Sequence, residues 1–414
     1  MDEVQRPLVP PPICAYNGID WRGFLPHTRH RHLEDLLEKR VKSQPVVVLS
    51  GARQVGKSFL VRELLHKRLR DLHYVTLDNA QSVDFARRNP SSFLRQPHQG
   101  GLFAIDEAQK APVLFDSIKE IVDKDRRPNQ FLLLGSTEFS HRTNVRESLT
   151  GRATYLRLFP FTLSESRGLP PKSNLLSPTP RVERTDTLRY LKRGGMPGIF
   201  AIRDEGTRLE LIEDLIQTTV ERDLPLIAGR SQVDPAAVRR ILRLIANLDE
   251  TSDSAIALAA RMSTRAVQKY LHLLQMLFFV IEVPPCAGST GRSQFYLGDV
   301  AIAAALGASF RSCLRTWALL EIMSHIEQTG SRLLSEVATY RGPKGGRLDF
   351  IVTIGGKKVA ILVLDEERVL QQDVEIARSY AERNPDTQQA IALAPVTHAV
   401  TMNGVRVLPL ECLA

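Results

Sequence analysis

Residues 46–58 constrain this chain more than any other stretch. Val46-Val47-Val48-Leu49 reads as a buried strand, and Gly51-x4-Gly56-Lys57-Ser58 follows it directly. Phe59, Leu60, Leu64 and Leu65 then recur at helical spacing, so the order is strand, glycine-rich loop, helix. Glycines let the backbone curl until successive N–H groups converge on a phosphate, and the helix N-terminus adds its positive end. The expected cradle is Gly51, Ala52, Arg53, Gln54, Val55, Gly56, Lys57, Ser58 and Phe59. Lys57 would bridge the β- and γ-phosphates of ATP, and the Ser58 hydroxyl would bind Mg²⁺. By composition alone such a match arises in roughly one chain of this length in a hundred, and the flanking strand and helix lower that further.

Two later strands carry the remaining chemistry of such a site. Gly101-Leu102-Phe103-Ala104-Ile105 is an apolar run that ends in the paired carboxylates Asp106-Glu107. Asp106 would hold the metal, and Glu107 would polarise the attacking water. A surface Asp-Glu at a strand end is the plainer alternative. Phe131-Leu132-Leu133-Leu134 ends in Gly135-Ser136-Thr137, where Ser136 could bond the water or the γ-phosphate. His73–Asp78 reads as a further strand. Strands alternating with helices predict an α/β fold with a parallel sheet covered on both faces.

The chain has 414 residues, enough for two or three domains. Lys and Arg number 55 against 46 Asp and Glu, a net charge of +9. That excess permits a double-stranded DNA partner without demanding one. Cys14, Cys286, Cys313 and Cys412 form no C-x-x-C pair, which argues against a zinc site and for a reducing compartment. No apolar run is long enough to span a membrane, and the N-terminus lacks the basic-then-apolar order of a signal peptide. The expectation is a cytoplasmic protein without a membrane partner.

Several motifs occur together and in order: residues 47–58, Asp106-Glu107-Ala108-Gln109-Lys110, Leu134-Gly135-Ser136, Leu149-Thr150-Gly151-Arg152, Pro160-Phe161-Thr162-Leu163-Ser164-Glu165 and Gly194-Gly195-Met196-Pro197. As a set they resemble the prokaryotic AAA-type ATPases called archaeal-like ATPases, which carry a C-terminal domain of unknown function. In such ATPases an arginine, in cis or from a neighbouring subunit, stabilises charge on the transferring phosphoryl group. Arg152 is the first choice for it, then Arg142 and Arg146; pairing of Arg152 with a helix acid is the alternative. An oligomer is compatible with that arrangement.

The resemblance also implies a helical lid after residue 187 and a winged helix beyond it. From the residues, Ala255–Ala260, a turn at Arg261-Met262-Ser263, and Thr264–Leu274 read as helix-turn-helix, with Ser263 as N-cap. Val267, Leu271 and Leu274 form its buried stripe, while Arg265, Gln268, Lys269 and His272 face outward. Such a module can read a major groove or serve only as packing between units. From about Thr316 the chain looks like the nuclease-like fold of restriction endonucleases, with Glu321 and Asp349 at acid positions. Where a Glu-x-Lys would be needed it has Leu362-Val363-Leu364, so nuclease chemistry is not expected.

The resulting division is an N-terminal arm and helix (1–44), an AAA-type core (45–168), linker and lid (169–230), winged helix (231–300) and nuclease-like unit (301–414). Three functions compete: a Mg²⁺-dependent ATPase that moves its C-terminal units on DNA or a protein partner, a slow ATP-bound switch, and an ATP-gated nuclease.

Overall fold

The computed structural model describes residues 29–69, 71–95, 101–138, 149–229, 232–331 and 335–414. The proline- and aromatic-rich arm, with Tyr16, Trp21 and Phe24, lies outside the described residues, as do Arg142 and Arg146.

Helix α1 (Glu34–Ser43) leads into β1 (Val46–Ser50). With β2 (Leu72–Thr76), β3 (Leu102–Asp106), β4 (Phe131–Gly135) and β5 (Ala153–Arg157) it forms one parallel sheet in the order β2-β3-β4-β1-β5. The three central strands are buried throughout and the two edges only partly. Alternation along β1 explains both faces. Val46 and Val48 join Phe103, Ile105, Phe131 and Leu133 in one layer; Val47 and Leu49 join Ala104, Leu132 and Leu134 in the other. Strand β5 is absent from the sequence reading because Ala153-Thr154-Tyr155-Leu156-Arg157 mixes polar and apolar residues, as a half-covered edge does.

The loop helix α2 runs through Lys57–Phe59, a π-wound stretch Leu60–Leu65, and His66–Arg68. Helices α3 (Ala80–Arg88) and α4 (Val113–Lys124) cover one face of the sheet, and α1 and α2 the other. After β5 comes the short α5 (Leu163–Ser166), whose start is fixed by a capping box between Thr162 and Glu165. Residues 167–183 contain no helix or strand but are not a free linker. Leu175 is buried, and the N–H of Ser177 bonds the carbonyl of Cys412 at 2.8 Å.

Helix α6 (Arg184–Arg193) is followed by the turn at Gly194-Gly195 and then α7 (Glu205–Thr218), which continues through the π-wound Thr219–Asp223. At the turn, the N–H of Phe161 bonds Gly195 O at 2.6 Å, and Gly195 N–H donates to Asp299 at 2.8 Å. A Cβ on Gly195 would stand 2.4 Å from Phe161 O, so only glycine allows this close approach.

Next come α8 (Pro235–Asn247), α9 (Asp253–Ala260), α10 (Thr264–Met276) and an antiparallel hairpin, β6 (Val280–Val283) with β7 (Gln294–Leu297). Ser263 caps α10, and its buried and exposed faces are those expected. The hairpin loop is tied to the following sheet. Thr339 N–H bonds Pro284 O at 2.8 Å, Cys286 N–H bonds Thr339 O at 2.9 Å, and Thr290 N–H bonds Arg341 O at 2.9 Å.

Helix α11 (Val300–Ala305) and the long α12 (Phe310–Gln328) precede that sheet. It consists of β8 (Ser335–Arg341), β9 (Arg347–Ile354), β10 (Lys357–Val363), β11 (Thr387–Ala394), β12 (Val400–Met402) and β13 (Val405–Pro409), in the order β12-β13-β11-β10-β9-β8. Helix α13 (Gln371–Arg383) connects β10 to its parallel neighbour β11. The β12–β13 hairpin turns at Asn403-Gly404, both at positive φ, a dipeptide suited to a two-residue hairpin turn.

Candidate functional site

The phosphate loop leaves the C-terminal end of β1, and β3 and β4 bring Asp106-Glu107 and Ser136 to the same edge. Gly51 passes so close to β5's exit that a Cβ would stand 2.4 Å from Leu158 O, and Gly56 has φ 91°. Gln54 also has positive φ, at 64°. This curl lets consecutive N–H groups converge, the geometry a phosphate needs.

Lys57 is buried and donates to two carbonyls of its own loop, Gly51 at 2.8 Å and Ala52 at 2.9 Å. Burial pulls its ammonium down to about 8, against the opposing pull of Glu107 and Asp106. Ser58 Oγ donates to Asp106 at 2.5 Å, and Asp106 also accepts from the Tyr74 hydroxyl and from the Glu107 N–H at 2.9 Å. Three donors thus fix that carboxylate. Burial, and then the charge and hydrogen bond of Asp106, push the Tyr74 hydroxyl well above its ordinary pKa, so Tyr74 stays a donor. Ser58 and Asp106 are hard oxygen donors side by side, a pair that fits Mg²⁺. Among the described residues no group of three or more His, Cys, Asp or Glu could hold a metal by itself, and a Mg²⁺ here would take further ligands from phosphate and water.

Glu107 stands at φ 54°, in the left-handed region. Its carboxylate accepts from Ser136 Oγ at 3.0 Å and from the Gln109 amide, which also reaches Ser136 at 3.2 Å. The structure therefore brings together Lys57, Ser58, Asp106, Glu107 and Ser136. Phe59, next after Ser58, is 40 % exposed.

Arg152 is not at this site. It precedes β5, whose Ala153 pairs with Val46 at the opposite end of β1, about 13 Å along the strand from the loop. Its guanidinium grips Asp123 of α4 at 2.6 and 2.8 Å. Within its own chain Arg152 therefore cannot reach the phosphates, and the helix-acid pairing is what the fold makes of it.

Arg31, Tyr74 and Asp223 also belong to the site, although none of the sequence motifs includes them. Arg53 of the loop meets Asp223, which follows α7, at 2.6 Å. Arg31 donates to Val55 O at 2.8 Å and Phe159 O at 2.6 Å, and faces Glu165 at 3.2 Å. Burial alone would raise the Glu165 carboxyl, but Arg31, His32 and two backbone N–H groups hold it below its usual range. Thr162-x-x-Glu165 was legible as a capping box; nothing local marked Arg31, Tyr74 or Asp223. The end of α10 also reaches this edge: the Glu138 N–H, two residues past Ser136, bonds Met276 O at 2.8 Å.

The two acids of the C-terminal half, Asp349 on β9 and Glu321 on α12, are otherwise engaged. Asp349 pairs with Arg315 at 2.7 Å and accepts the Val363 N–H at 2.7 Å. Glu321 accepts the Leu163 N–H at 2.7 Å and the Trp317 indole at 3.0 Å.

Residues 43–166 match the family model described as an AAA domain, and residues 184–312 match a domain of unknown function (DUF8612). An uncharacterized protein of Mycobacterium tuberculosis is 28% identical over 260 residues, covering 62% of this chain and 54% of that one. One of Methanocaldococcus jannaschii is 22% identical over 200 residues, covering 45% and 44%. The chain thus spans about half the length of the curated relatives it matches. Among solved structures, a Walker-type ATPase of Pyrococcus abyssi aligns at TM-score 0.44 with 17% identity, covering 68% of this chain and 99% of that one. The Thermotoga maritima RuvB Holliday junction branch migration motor aligns at 0.28 with 16% identity, covering 61% and 86%. Residues 43–166, the stretch similar to an AAA domain, include the glycine-rich loop 51–58, Asp106-Glu107 and Ser136.

Proposed function

We propose that this protein binds and hydrolyses ATP with Mg²⁺, and that the state of the nucleotide moves its C-terminal half on DNA or a protein partner. Lys57 would leave its loop carbonyls for the β- and γ-phosphates, and Glu107, released from Gln109 and Ser136, would take the proton of the attacking water. Mg²⁺ held through Ser58 and Asp106 would neutralise charge on the phosphates. Residues 231–300 would act as the winged helix and residues 301–414 as a nuclease-like unit without nuclease chemistry. Leu362 and Leu364 supply neither ligand nor amine, and Arg315 occupies Asp349.

The observation that carries the coupling is the contact of α10's end with the nucleotide edge. Met276 bonds Glu138, and Leu277, Phe278 and Phe279 line one cavity with Ala52 and Arg53 of the phosphate loop. A shift of the loop on binding phosphate is therefore felt directly by the helix-turn-helix. The ties between hairpin loop and β8 favour packing over groove contact for the wing, leaving α10's exposed Arg265 face for DNA.

A second reading, an ATP-bound switch with rare turnover, is favoured by the two donors that hold Glu107. Steady-state ATP hydrolysis with Mg²⁺, with and without duplex DNA and with Lys57→Ala as blank, tests both. DNA stimulation that fades with salt supports the DNA-coupled machine. A low rate indifferent to DNA supports the switch, and hydrolysis by Lys57→Ala at the wild-type rate overturns the site.

A further inference from the structure

Arg31 precedes both α1 and the matched residues 43–166, and no motif of the sequence includes it. Its side chain is nevertheless buried against the phosphate loop. One terminal nitrogen donates to Val55 O, the other to Phe159 O, and Nε faces Glu165. The guanidinium also lies 4.9 Å from the centre of the Phe161 ring. A cation persists at such depth only when acceptors and a counter-charge surround it, and here all are present.

We propose that Arg31 is a positioning residue for the nucleotide: by holding the Val55 carbonyl, it aims the N–H of Gly56 at the β-phosphate. The physical reason is the planar trans peptide, whose C=O and N–H point in opposite directions. With Val55 O turned toward Arg31, the Gly56 N–H of the same peptide turns away from it, toward the concave side of the loop. Gly56 tolerates the required φ of 91°. The carbonyls of Gly51 and Ala52 are held differently, by Lys57 itself, and lose that partner once the ammonium moves to the phosphates. The Arg31 tie does not depend on the ligand. Phe159, just past β5, and Glu165 of α5 anchor the guanidinium to the sheet, so Val55 is placed relative to the fold.

The proposal rests on the ATP-binding reading above, and its test separates the two. ATP and ADP affinities are measured by calorimetry on the full chain, for the wild type, Arg31→Lys and Arg315→Lys. Lysine keeps the charge but cannot reach Val55, Phe159 and Glu165 together. Arg31→Lys is expected to weaken ATP and ADP alike by about tenfold or more, the worth of a charge-assisted tie. KM for ATP should rise in step while kcat at saturation stays within about threefold, the mark of lost uniform binding. Arg315→Lys, at a buried ion pair remote from the loop, should lower the melting temperature and leave affinity unchanged. If Arg31→Lys does not fold, Arg31→Met with Glu165→Gln removes both charges together and should show the same loss. A folded variant that binds within twofold of wild type overturns the proposal. A wild type that binds neither nucleotide overturns the ATP reading and this proposal with it.

Discussion

Asp223 meets Arg53 of the phosphate loop at 2.6 Å, with the carboxylate buried and the guanidinium partly open to solvent. The pair joins the segment after α7 to a loop whose sequence alone suggests only phosphate binding. Asp223→Asn and Arg53→Gln should each loosen this joint, and the double variant should lose less than the two losses added. A double-mutant cycle on thermal stability is expected to give a coupling of about 1 kcal/mol. Strict additivity would mean that the contact carries no energy.

Lys57 titrates near 8 because it is buried. Its folded pKa lies below the unfolded value, so between about 8 and 10.5 the folded chain binds fewer protons than the unfolded one. Stability from this group therefore rises with pH across that window. ATP affinity should do the opposite, because phosphate binding needs the ammonium. Calorimetry at pH 8.5 in buffers of different ionisation enthalpy should show proton uptake on binding, and none from this group at pH 6.5.

Glu107→Gln should keep ATP affinity and slow turnover by about 10²–10⁴-fold, the usual worth of a positioned base. Ser136→Ala removes one of the two donors holding Glu107 and should change turnover without changing affinity. Rapid-quench measurement of a single turnover checks both; wild-type chemistry in Glu107→Gln would assign the base elsewhere.

Arg315 and Asp349 form a buried pair in the C-terminal half. Arg315→Met strands the carboxylate and should cost about 3–5 kcal/mol in denaturant unfolding, whereas replacing both partners by apolar residues should recover most of it. A plasmid incubated with the protein, ATP and Mg²⁺ should remain uncut.

The phosphate loop, the carboxylate pair and the β4 serine were legible because each sits in a contiguous run where strand pattern and motif coincide. The helix-turn-helix was legible for the same local reason, with Ser263 capping a helix of clear apolar stripe. Strand β5 and the β12–β13 hairpin were not read: an edge strand dilutes its apolar pattern, and a three-residue strand scarcely has one. Arg152 does not reach the loop of its own chain because a motif reports nearness in sequence, while the strand direction sends it to the far end of the sheet.

By itself the sequence determined the local chemistry: a glycine-rich curl after a buried strand, carboxylates at a strand end, and capped helices, all set by bonds within a few residues. Tertiary structure alone decided which distant groups share that edge. Arg31 reaches Val55 across 24 residues, Tyr74 reaches Asp106 across 32, and Asp223 and Met276 meet Arg53 and Glu138 from still farther along the chain, through the packing of the fold and the burial of charges that must find partners. No local pattern encodes such partners, because their energy comes from desolvation and packing that exist only once the chain has closed.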